Sequence, residues 1–144
     1  MAATAGFLNK VLDLYFDNIT HTEIGDAAGL LKSVGDGSFY ISLHTADPVA
    51  GSQATNESAV GTYARKAVSR TNGFTVAGAN VSNAAAVTFA QGSSGSETIT
   101  HFGIGEELSA DGTLFMAGAL DTNRSYGTGI TLEFGIGELD VDLT

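Results

Sequence analysis

The clearest alternation of apolar and polar positions lies between residues 97 and 120. Over residues 98–104, Thr98, Thr100, Phe102 and Ile104 fall on one side and Ile99, His101 and Gly103 on the other. That period of two belongs to a strand. In the run 114–120, Leu114, Met116 and Leu120 face one way and Phe115, Ala117 and Ala119 the other. The connecting residues 106–112 end in the Asp111-Gly112 turn signal. The pattern predicts a central hairpin, with glycines where a neighbouring layer presses close.

A helical period appears once. Phe7, Leu8, Val11, Leu12 and Tyr15 form one stripe over residues 4–18, with Phe16 and Leu14 widening it. Thr4 is the natural N-cap. So apolar a helix must dock, on its own sandwich or on another subunit. Residues 20–37 are ambiguous between a short helix over 26–33 and irregular structure, because Gly25, Gly29, Gly35 and Gly37 interrupt them. Further strands are expected over 39–45, 62–71, 74–76, 80–82, 85–89, 130–134 and 139–143, with a polar turn over 121–129. The connection 48–61 exceeds the usual length, which marks it as functional or mobile. The sum is a mainly β protein: an antiparallel β-sandwich, jelly-roll-like, with an N-terminal α-helix. A helical or irregular segment, 1–37, precedes a sandwich over 38–144, in a single domain.

Composition supports short strands and tight turns. The chain has 144 residues, 19 of them glycine, one proline, and only 15% charged side chains. The formal net charge of −10 argues against nucleic acid and against an anionic membrane surface. No stretch approaches a membrane span. Cysteine is absent, which removes disulfides and thiolate metal sites.

Chemistry is thin. His44 and His101 sit in strands and could meet, and with Asp47 they form the best imaginable metal or acid–base set. Both histidines lie opposite the largest apolar residues, and no metal-ligand spacing is present, so layer-edge histidines are the stronger reading. Gly103 and Gly105 lack the third glycine and the helix of a dinucleotide loop. Paired carboxylates read as solvated turns. Tyr40, Tyr63 and Tyr126 could build a sugar-stacking surface, though tyrosines in strands more often pair across a sheet. No catalytic residue, cofactor or metal is expected.

Five segments taken in order carry a resemblance. They are 40–48 (Tyr-Ile-Ser-Leu-His-Thr-Ala-Asp-Pro), 61–70, 81–89, 100–104 (Thr-His-Phe-Gly-Ile) and 114–120 (Leu-Phe-Met-Ala-Gly-Ala-Leu). Together they resemble a group of small tailed-bacteriophage virion proteins, often labelled tail fibre proteins. The resemblance implies an inert β-sandwich on the outside of a particle, made in the host cytoplasm. Compact size and acidity favour a capsid decoration protein over a fibre shaft; the alternative is a tail fibre or collar component that binds host glycans. Expected partners are phage capsid or tail and collar proteins. A homo-oligomer, with a trimer among the candidates, suits the symmetry axes of a shell. The expected docking surface is Phe7, Leu8, Val11, Leu12, Tyr15 and Phe16, or the loop 48–61.

Overall fold

A computed structural model describes residues 3–22, 32, 34, 35 and 37–143. Among the described residues are one α-helix and nine strands, the strands forming three open sheets: α1 (Ala5–Phe16), β1 (Ser38–His44), β2 (Lys66–Ser69), β3 (Phe74–Ala77), β4 (Asn80–Asn83), β5 (Val87–Thr88), β6 (Ser96–Gly105), β7 (Leu114–Gly127), β8 (Glu133–Phe134) and β9 (Asp140–Asp142). The mainly β class and the N-terminal helix are as the periodicity predicts. The chain divides into two compact units. The first takes the described residues of Met1–Ser38, Ser69–Ala86 and Gly135–Thr144; the second takes Phe39–Val68 and Val87–Phe134. The expected helix over 26–33 falls almost wholly outside the described residues.

In the first unit, helix α1 accompanies the sheet β3-β4-β9. Thr4 caps the helix by accepting from the Phe7 amide, and Asp17 ends it, followed by Asn18 at φ 52°. Leu12 and Phe16 are buried, and the Phe16 ring meets Phe74 edge-to-face at 5.0 Å. Arg70 donates to the carbonyls of Leu14 and Tyr15, the orphan acceptors of the last turn. The β3–β4 hairpin turns at Gly78, whose φ of +68° only glycine adopts freely. Asn83 is 1% exposed and fastens the unit internally. Its amide donates to the carbonyls of Ala85 and Gly135 and accepts from the Leu139 amide.

The second unit is built on the sheet β2-β1-β6-β7. The register places Ile41 opposite Ile104, Leu43 opposite Phe102 and His44 opposite His101. One face is aromatic: Phe102 meets Phe134 of the ribbon β5-β8, Phe134 meets Phe89, and Phe89 stacks on Tyr63. Two layers therefore sandwich an apolar core.

Strand β7 departs from expectation. Residues 121–127 were expected as a turn, yet the strand runs on to Gly127. Ala119 pairs with His101 and Arg124 with Ile99, so four residues of β7 stand against Thr100 alone. This wide bulge is solvated at Asp121, Thr122 and Asn123, and it absorbs the polar run without ending the strand. A second irregularity falls between Gly105, paired with Leu114, and Ile104, paired with Met116. Phe115 is the extra residue, and its ring reaches Phe39 at 5.5 Å. The expected strand over 62–71 shrinks to β2, because Thr62 sits at φ 70° and Arg65 turns inward.

Candidate functional site

The second face of the β1–β6 pair is where the polar side chains gather. Tyr40, Ser42 and His44 project from alternate positions of β1 beside Gly105, Gly103 and His101 of β6. The loop 48–61 lies over this face and is pinned to it. The Thr45 amide donates to Asn56 and the Ser58 amide to Leu43, so residues 56–58 run alongside the end of β1. Gln53 is fully buried. Its side-chain amide accepts from the Glu107 amide at 2.9 Å and donates to the Glu107 carbonyl at 3.3 Å, as a strand partner would. A Cβ on Gly105 would overlap the Gln53 side chain, which is why glycine stands there.

Arg65 locks the same region. It is 6% exposed and grips Glu57 through two parallel bonds of 2.7 Å, Nε to Oε1 and Nη2 to Oε2. Its Nη1 donates to the carbonyls of Glu107 and Ala110. The Glu57 bonds raise the Arg65 pKa against the opposing effect of burial. Tyr63 donates to Glu57 at 2.8 Å and accepts from the Leu43 amide. Burial pushes its phenol far up, so it stays a donor. The buried charge is thus paired with a carboxylate and further hydrogen-bonded to two carbonyls, the condition under which an interior ion pair is tolerated.

His44 is solvent-excluded. Its Nδ1 lies 2.8 Å from the Thr55 carbonyl, which can only accept, so the proton sits on Nδ1. Nε2 then accepts from the Ser42 hydroxyl at 2.7 Å. Burial, the largest influence, holds the imidazole below the ordinary histidine pKa. This serine–histidine–carbonyl chain has the connectivity of an activated nucleophile. Ser42 and His44 are both 0% exposed, and Gly103 presses against both side chains. A substrate has no route to them, and the chain serves packing.

The residues named from sequence are dispersed accordingly. His44 and His101 do meet across β1 and β6, but Asp47 instead caps a local turn by accepting from the Val49 amide. Among the described residues no group of three potential ligands could hold a metal. Tyr126 is fully buried and donates to the Ala90 carbonyl, and the half-buried Tyr63 meets it edge-to-face at 6.4 Å with its hydroxyl spent on Glu57. They cannot form a sugar platform. Along α1, Leu12 and Phe16 are consumed by their own unit, Leu8 and Val11 are half-buried, and Phe7 and Tyr15 face solvent, 54% and 45% exposed. At 100° per residue Phe7, Val11, Tyr15, Leu8, Leu12 and Phe16 follow one another across one half of the helix, so a single wide apolar stripe is buried at Leu12 and Phe16 and exposed at Phe7 and Tyr15. Ser42, Gln53 and the Glu57–Arg65 pair escaped sequence reading, because nothing in their spacing announces a buried contact.

This face is sealed by hydrogen bonds, with its polar groups spent on each other. The chain belongs to the family described as Podophage GP4 fiber I protein gp80, whose model matches residues 3–142. It is a bacteriophage structural protein and a virion component. No curated protein matches it.

Proposed function

We propose that this chain is a non-enzymatic module of the fibre apparatus on the outside of a podophage particle, assembled through its N-terminal helix. The family's printed name favours the fibre over capsid decoration. The single observation that carries the docking role is the helix's wide apolar stripe, which its own unit covers only in part. Leu12 and Phe16 at one edge are buried while Phe7 and Tyr15 on the same stripe are open to water. An apolar stripe wider than its own core covers marks an interaction surface. The partners are other virion proteins and further copies of this chain in a symmetric homo-oligomer. Nucleic acid and membranes are excluded from the reading by the charge of −10.

Cryo-microscopy of purified particles tests the location. Density fitting this fold at the tail supports the fibre reading, and density over capsomer junctions would transfer the protein to capsid decoration. In the same particles, Phe7→Ser combined with Tyr15→Ser is expected to lower incorporation at least tenfold. Unchanged incorporation would remove the helix from the interface.

A further inference from the structure

A second surface is built on the side of the loop 48–61 that points away from β1. The turn at residues 47–51 and the hairpin tip at 106–112 are separate in sequence but fastened together. Gln53 joins them through both backbone groups of Glu107, Arg65 through the carbonyls of Glu107 and Ala110. Asp111 accepts from the Ala54 amide, and the Gln53 amide donates to the Gly112 carbonyl. Buried side chains therefore hold two exposed loops in one fixed arrangement. On those loops stand two of the unit's exposed large apolar residues, Val49 at 66% and Leu108 at 51%. The same two loops carry the exposed acidic residues Asp47, Glu106, Glu107 and Asp111. Hydrogen bonds from Thr113 to Glu106, and from Ser52 and Ala54 to Asp111, lower those two pKa values, so both stay ionised.

We propose that this end of the second unit is a docking surface for a basic, partly apolar segment of a different virion protein. Charge complementarity selects the occupant. A second copy presenting the same loops would set carboxylate against carboxylate around the apolar pair, and like charges brought together are strongly disfavoured. Lys or Arg side chains flanking an apolar anchor meet both features. Preorganisation supports the assignment, since loops already held in place lose little freedom on binding. The proposal rests on the chain being a virion component and adds a surface separate from the helix.

The test is complementation in trans. A phage deleted for this gene is grown on cells supplying wild-type or variant protein, and the protein in purified particles is quantified by mass spectrometry. Val49→Ser with Leu108→Ser is expected to lower incorporation at least tenfold. Glu107→Lys, at an exposed residue, is expected to lower it severalfold while melting as wild type does. Wild-type incorporation by Glu107→Lys together with the double variant would overturn the surface. Should the double variant not fold, Glu107→Lys alone decides. Absence of wild-type protein from particles is a different result: it removes the virion assignment itself.

Discussion

The two faces of the sheet β2-β1-β6-β7 solve the same problem by opposite means. On one, Ile41, Leu43, Phe102 and Ile104 bury apolar area against rings from the β5-β8 ribbon. That attraction has little direction, so shape and volume suffice. On the other, Ser42, His44, Gln53 and Arg65 are buried just as deeply, but each is held by specific hydrogen bonds. An apolar face tolerates a smaller neighbour. A polar face cannot lose a partner without stranding a group away from water. The polar face therefore dictates one conformation for the loops above it, which is what a fixed docking surface needs.

Removing half of the ion pair should give the largest effect. Glu57→Ala leaves the Arg65 guanidinium buried without its carboxylate, and should cost about 3–5 kcal/mol by chemical denaturation. A loss below about 1 kcal/mol would mean the pair behaves as a surface bridge. Gly105→Ala forces a methyl group into Gln53, which is fully buried and bonded to Glu107; overpacking of this kind costs about 1–3 kcal/mol. On the apolar face the conservative change Ile41→Val should cost only about 0.5–1.5 kcal/mol. If Ile41→Val proves worse than Gly105→Ala, the contrast between the faces fails.

Acid provides a further test. The folded-state pKa of His44 lies below its unfolded value of 6.5. Below that pH the unfolded chain binds a proton that the folded chain refuses, so stability falls as pH drops through about 6.5. The fall levels off once the pH is below the folded pKa. His44→Asn can keep a donor near the Thr55 carbonyl without a titrating ring, and should flatten the melting temperature between pH 7 and pH 5. An unchanged slope would acquit His44. The smallest effect is expected from Phe7→Ser, which should stay within about 0.5 kcal/mol of wild type, since the ring is over half exposed. Its consequence belongs to assembly instead.

Periodicity located the strands that alternate cleanly. The 39–45 and 98–104 runs, the glycine-split hairpin at 74–82 and the helix with its Thr4 cap all follow from local pattern. It failed where pairing across the sheet slips or the backbone turns. A bulge of several residues opposite Thr100 hides a continuous β7 behind a polar run, and the left-handed Thr62 with the inward Arg65 shortens β2. Neither is visible in alternation, because both depend on what lies across the sheet. The glycines were legible as points of close approach at Gly103 and Gly105, but not what approached. The loop 48–61 stood out by its length, but nothing in the pattern showed that Pro48, Gln53, Ser58 and Val60 would be buried.

The chain's own order of residues determined the class of the protein: strands from period two, a helix from one stripe, an acidic balance from composition, and a phage resemblance from five ordered segments. Only the tertiary structure decided which polar residues are spent inside and which are left outside. Gln53 and Glu107, like Glu57 and Arg65, meet through folding and not through spacing. Burial and pairing are properties of neighbours in space, and a linear pattern holds no record of them.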